Sequence, residues 1–290
     1  MSIATMTALA GEFRWGISLR RTSARLPQVS HGSRSSLNRV PPFNETAFKL
    51  LVRPFGDVDS IGDIEAAFRS DPGMASQLLT AANSAAMGLR AHVGTLRHAL
   101  AVLGMHRIRS LVVTIATPSY MRQFPSDVVR PIWSHGIATA VIAEHLAGYS
   151  DRLCGSALYT AGLTHDLGRL GLLAAERQRY SSFLMEEYED RDESELREWE
   201  QFGVIHTVAG GLLTQLWGFP ESLCGHAENH HAESGFDTEE DRIAHTACLL
   251  ADAMGYPELR LRSAPEPDPT LSVDDACRQL VEQRIQEFLF

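Results

Sequence analysis

His165 and Asp166 stand side by side in the run Ala161–Gly171, AGLTHDLGRLG, among apolar and small residues. An imidazole nitrogen beside a carboxylate oxygen is a ligand pair for a hard or borderline divalent cation. The pair is informative only in company, because a chain with 12 His will place some beside an acid by chance. Its company is His135 upstream and His206, His230, His231 and Asp252 downstream. Asp252 follows Ala247, Leu249, Leu250 and Ala251, where a carboxylate is costly unless paired or metal-bound. For each residue the plain alternative is a core histidine that donates from one nitrogen and accepts at the other. As a set, His135, His165, Asp166 and Asp252 make a compact N/O site, and His206, His230 and His231 add ligands for a second ion. Mixed His/Asp ligation favours Fe or Mn over a structural tetrahedral Zn site. Two ions bridged by Asp166 would activate water and hold phosphate oxygens.

These residues lie on helical patterns. Pro131–Gly148 has apolar residues at helical spacing and carries His135 early. Ser156–Leu163 delivers His165 and Asp166, and Gly168 and Gly171 permit close packing beside them. A further helix extends from His206 to the stop at Trp217-Gly218-Phe219-Pro220. The next helix carries His226 and His230, four apart and able to share one face and one ion. His231 lies about 100° round from His230, so both serve one site only at a distorted helix end. Arg242–Met254 is an apolar helix with His245, Cys248 and Asp252.

The rest of the chain divides around this core. Residues 1–40 mix Arg20, Arg21, Arg25, Arg34 and Arg39 with Ser, Gly and Pro, and read as a flexible or partly ordered arm. Residues 41–120 read as short helices without a catalytic cluster, including Thr46–Val52 and a start at Asp71-Pro72. Thr95 is placed to cap the helix from Leu96, Gly104 allows a turn, and Asn83 suits a bond to local backbone. His92, His98 and His106 read as surface or structural residues. Glu186–Glu200 is acidic and reads as a solvated helix or loop. Residues 258–274, rich in Pro, Glu, Arg and Asp, read as a linker before an amphipathic helix over Val273–Phe290. That helix caps the domain or joins a homodimer interface.

Composition excludes little but biases much. The net charge is −10, from 26 basic and 36 acidic side chains, which argues against the duplex backbone as a partner and so against direct DNA binding. The four Cys form no Cys-x-x-Cys and read as reduced cytosolic thiols, mostly in core positions. No apolar run reaches transmembrane length and no secretory signal is present, so no membrane partner and a cytoplasmic location are expected.

Residues 41–257 resemble the HDOD domain, a helical relative of the HD phosphohydrolase superfamily. The resemblance is carried by S-D-P-G-M-A-S-Q-L-L-T-A-A-N-S-A-A-M-G from Ser70 to Gly88 and by the Leu96–Val112 run. It continues with Trp133-Ser134-His135, G-L-T-H-D-L-G, the E-x-x-G-x-x-H form with Glu200 and His206, W-G-F-P and the pair at 230–231. It implies an all-α fold: a compact multi-helix domain with a helical block at 41–120 and an HD-like core at 121–257. It matches His135, His165, Asp166 and Asp252 to the superfamily's core metal ligands. His206, His230 and His231 match the further ligands of the HD-GYP group, which hydrolyses a cyclic dinucleotide. The chain departs from that group after His231, where H-H-A-E-S-G-F replaces the Gly-Tyr-Pro loop; Gly255-Tyr256-Pro257 comes later and is not equivalent. Arg169 stands where a phosphate-contacting Lys is common, and its planar fork is not an equivalent group. The resemblance implies a bacterial signal-transduction module with a His/Asp metal centre, working through a protein partner or a nucleotide or phosphate ligand. The alternative it carries is a metal-dependent phosphohydrolase acting on a cyclic dinucleotide, with His165 and Asp166 as catalytic residues.

Overall fold

Helical periodicity becomes helices almost throughout. The structure, a computed structural model, describes residues 29–40, 60–70, 72–84, 87–88, 92–232, 236, 238–263, 266–267 and 272–288. The expected helix at Thr46–Val52 and the Asp71 cap lie outside the described residues. In chain order the elements begin with α1 (His31–Leu37), α2 (Ser60–Ser70), α3 (Pro72–Ala82), α4 (Leu96–Met121) and α5 (Ser126–Ala147). The core continues with α6 (Gly155–Thr164), α7 (Leu167–Ala175), α8 (Arg177–Met185), β1 (Glu187–Tyr188) and α9 (Arg191–Phe202). It closes with α10 (His206–Leu216), α11 (Glu221–Asn229), α12 (Glu239–Ala253), β2 (Arg260–Leu261) and α13 (Asp275–Phe288). The described residues are all-α apart from one parallel ladder of two short strands, in which Glu187 faces Arg260 and Tyr188 faces Leu261.

Helix α5 is the hub. From Ile132 to Ala143 nearly every side chain is buried, because α6, α12 and α13 all pack against it. A helix apolar on all sides must sit inside, and this one does. Local chemistry in the first block follows the residue types. Asn83 donates to Leu79 O at 2.8 Å and Val93 O at 2.9 Å and accepts from Val93 N at 2.7 Å, tying the end of α3 to the loop before α4. Thr95 Oγ1 accepts from His98 N at 3.2 Å as a helix cap. Gly104, at φ +72°, bends α4 in two.

The two ends of the chain are more involved than their composition suggests. Residues 29–40 of the expected arm are packed: Leu37 and Val40 enter the core, Ser30 caps α1, and Ser30 N donates to Gly203 O at 3.1 Å. Helix α13 buries Cys277, Val281 and Ile285 on α5, and so caps the domain. The stretch from 258, expected as a linker, begins with Glu258 buried and β2 paired to β1. Its Pro and charge content hid a short ordered element.

Candidate metal centre

The ligand residues stand at helix ends, where side chains escape the helix surface. His165 closes α6 and Asp166 opens α7, so the pair sits at a junction. His206 is the first residue of α10, and His230 follows the last residue of α11. The helix stops at Asn229, which lets His230 and His231 turn the same way; their ring centroids are 4.2 Å apart. Gly168 makes the meeting of α7 and α10 possible. A Cβ there would lie 1.8 Å from His206 O and 2.6 Å from Gly210 N.

Each imidazole is oriented by its other nitrogen. His165 Nδ1 donates to Gly162 O, His230 Nδ1 donates to Ala227 O at 2.9 Å, and His206 Nδ1 donates to Glu198 Oε2 at 2.7 Å. His231 Nδ1 faces Glu195 Oε1 at 2.8 Å. The Nε2 atoms of His165, His206 and His230 and Oδ1 of Asp166 are all buried without a hydrogen-bond partner. Asp166 Oδ1 lies 3.9 Å from His206 Nε2 and 3.8 Å from His230 Nε2. Buried polar atoms left unpaired are costly. Convergent nitrogen and carboxylate lone pairs, each backed by an orienting bond, fit a divalent cation. Single donor atoms of His165, Asp166 and His230 lie within 4.8 Å of one another, as do those of His206, His230 and His231.

His135 belongs to the same cluster but looks another way. Its Nδ1 faces Tyr256 O at 2.9 Å, Asp252 Oδ1 at 3.2 Å and Glu258 Oε2 at 3.4 Å, while Nε2 faces Cys248 Sγ at 3.4 Å. Asp252 thus meets the back of the His135 ring, and its Oδ2 takes Arg191 at 3.0 Å. The structure does not bring Asp252 into a donor group with His165 and Asp166. It supplies Cys248 and Glu258 instead: His135 groups with His165 and Cys248, and separately with Asp166 and Glu258.

Two buried arginines balance the carboxylates. Arg169 is 1% exposed and reaches Asp166 Oδ2 at 3.2 Å, Glu258 Oε1 at 3.4 Å and Glu198 Oε1 at 3.6 Å. It is engaged with protein carboxylates, which is where the structure places the residue expected to contact phosphate. The charges set the titration. Burial works against the Asp166 carboxylate, but Arg169 and His206 outweigh it and hold the group below its usual range. Burial raises Asp252, assisted by Glu258. Burial would lower His135, yet Glu258, Cys248 and Asp252 hold it well above its ordinary value. Burial, with His165 and His206 beside it, holds His230 well below. Cys248 is lowered: burial opposes the thiolate, and His135 overrides burial.

Several side chains fall elsewhere. His226 turns to Asp241 at 2.7 Å rather than sharing an ion with His230. His245 Nδ1 donates to His230 O at 2.7 Å and so steadies the His230 backbone. Glu200 is exposed, and the acid that supports His206 is Glu198, two residues earlier. Period 3.6 gives the signal for it: Glu198 and Phe202, four apart, share the buried face of α9 and Glu200 does not. Glu258 and Arg191 lay in stretches read as solvated. Of the four cysteines, Cys248 and Cys277 are buried, Cys224 is half-buried and Cys154 is exposed.

The fold is helical, with imidazoles and a carboxylate closing on one helix junction. The chain belongs to the HDOD domain family, which matches residues 40–233. Cys248, Asp252 and Glu258 lie beyond the matched segment. An uncharacterised protein of Treponema pallidum (strain Nichols) is 23% identical over 208 residues, 70% of this chain; the chain spans 40% of that relative's length. A candidate phosphohydrolase of Shewanella amazonensis SB2B is 18% identical with TM-score 0.63, covering 90% of this chain and 99% of that one. An HDOD domain protein of Geobacter sulfurreducens is 19% identical with TM-score 0.57, covering 88% and 89%. A candidate signal transduction protein of Marinobacter aquaeolei VT8 is 21% identical with TM-score 0.55, covering 93% of this chain and 60% of that one. At these identities the likenesses show the fold. No single helix among the described residues is long and apolar enough to cross a membrane.

Proposed function

We propose that this protein is a bacterial signal-transduction module whose HDOD domain holds a divalent cation and acts by binding a partner rather than by turnover. The observation that carries the metal is the set of orphaned buried atoms: His165 Nε2, Asp166 Oδ1, His206 Nε2 and His230 Nε2. These atoms come from the α6–α7 junction, the start of α10 and the end of α11. These residues would hold the cation, which would supply positive charge to the buried carboxylate and tie three parts of the fold together. His135 and His231 would complete the surrounding ligand set, with Asp252 behind the His135 ring, and Fe or Mn would suit the Asp166 end.

Burial favours binding over catalysis. The side chains of His135, Asp166, His206, His230 and Asp252 are each at most 5% exposed. A phosphodiester needs an open face beside the cation, and Arg169, engaged by three carboxylates, offers its phosphate no free charge. The partner is a signalling protein met in the cytoplasm, without direct contact to DNA. The second reading, a metal-dependent phosphohydrolase for a cyclic dinucleotide, is favoured by the additional His206–His230–His231 group, which would hold a second ion for activating water.

Element-resolved metal analysis of the purified full chain, with turnover assays under Mn, Fe and Mg, separates the readings. Stoichiometric metal that is lost on combining His165→Ala with Asp166→Ala, and no turnover, is the expected result. Robust hydrolysis of a cyclic dinucleotide selects the second reading. A folded protein that binds no metal rejects both.

A further inference from the structure

The cluster holds one group that an N/O metal centre does not use. Cys248 is fully buried on α12, and its Sγ lies 3.4 Å from His135 Nε2. One ring nitrogen each from His135 and His165 lies with Sγ in a set no more than 4.8 Å across. The backs of both rings are fixed. His135 Nδ1 faces Tyr256 O, Asp252 and Glu258, all acceptors, and His165 Nδ1 donates to Gly162 O. Nε2 is therefore the inward atom of each ring. A core cysteine with a single hydrogen bond to His135 leaves the rest unexplained, because His165 Nε2 remains buried and unpartnered. A thiol has one proton, so with a lone pair on each Nε2 it can satisfy only one of the two nitrogens.

We propose that Cys248, His135 and His165 form a thiolate–imidazole site for a borderline divalent cation such as Zn²⁺, alternative to the His165–Asp166–His230 position. The donor chemistry selects between them. Two nitrogens and a sulfur suit zinc, whereas a carboxylate position suits harder ions such as Mn²⁺. His165 Nε2 has one lone pair, so the two positions cannot be filled together. The His206–His230–His231 group shares no residue with the sulfur site, so those two can be. As each metal–ligand bond forms, any proton on the donor atom leaves to water; no electrons are transferred. This inference rests on the reading of the cluster as a metal centre.

X-ray absorption on the zinc-loaded full chain tests it. Wild type should show one sulfur scatterer at about 2.3 Å, the usual Zn–S distance. Cys248→Ser should lose that scatterer and bind zinc at least ten-fold more weakly, while its manganese affinity stays within two-fold of wild type. A zinc shell of nitrogen and oxygen alone in wild type overturns the sulfur site and leaves the metal centre standing. Sulfur scattering that persists in Cys248→Ser assigns zinc to another thiol and also overturns it. Wild type that retains neither zinc nor manganese overturns both readings.

Discussion

At the residue scale, the imidazoles are unlike one another because their neighbours differ. Glu258, Cys248 and Asp252 outweigh burial at His135 and raise its pKa, whereas burial and the neighbouring imidazoles lower that of His230. The sign of the pH dependence follows. The unfolded His230 titrates near about 6.5 and the folded one well below, so the unfolded chain binds more protons as pH falls. Stability is fully present above the unfolded value and is lost as pH drops through it, by up to about 1.4 kcal/mol per pH unit. His135 works oppositely, stabilising below about 6.5 and losing that contribution as pH rises through its folded value. In metal-free protein, His230→Gln should therefore lose less stability than wild type between about pH 6.5 and pH 5, measured by denaturant unfolding at each pH. A steeper acid loss in the variant would show that His230 is not held neutral. The imidazoles were legible in the sequence because histidines in apolar runs stand out. Cys248 was not, since a lone thiol in an apolar helix reads as core. Glu258 was not, since Pro and charge around it read as solvated chain.

At the element scale, the site depends on backbones approaching closely where α7 meets α10. Gly168→Ala would drive its Cβ into the His206 carbonyl, which is backbone and cannot swing aside. The expected loss is about 3 kcal/mol, the upper end of ordinary overpacking, with weaker metal binding because His206 rides on the displaced turn. Gly136→Ala is the control: its Cβ would meet only Leu163 O at 3.8 Å, and its stability should change by less than about 1 kcal/mol. Thermal unfolding of both variants, with and without Mn, checks this; equal losses would remove Gly168 from its special role. The helices themselves were read well, since α5, α6, α10 and α13 follow apolar periodicity closely. Helix α9 was read less well, because its buried face carries Arg191, Ser194 and Glu198, which are polar residues. Periodicity of apolar residues cannot see a polar face that is buried by pairing.

At the scale of the molecule, the interior is held by charge as well as by apolar packing. Arg169 touches Asp166, Glu198 and Glu258, so it joins α7, α9 and the segment before β2. Arg169→Met would leave these carboxylates buried without their shared cation, at a cost of about 3–5 kcal/mol in metal-free protein. A divalent ion held at the proposed site would partly replace that charge. Saturating Mn should therefore raise the melting temperature of the variant more than that of wild type, by scanning calorimetry at matched excess over Kd. An equal rise would mean that the ion and Arg169 do not share the Asp166 carboxylate. The two-residue ladder between β1 and β2 has a consequence for the order of assembly. It joins segments far apart in sequence, and closing such a loop carries an entropy cost that only later contacts offset. A ribosome delivers His165, Arg169 and Arg191 long before Asp252 and Glu258. Until those carboxylates arrive, Arg191 lacks Asp252 and Arg169 lacks one of its three carboxylates, so the cluster cannot close on itself. Residues 252–261 are the clasp that finishes the middle of the fold.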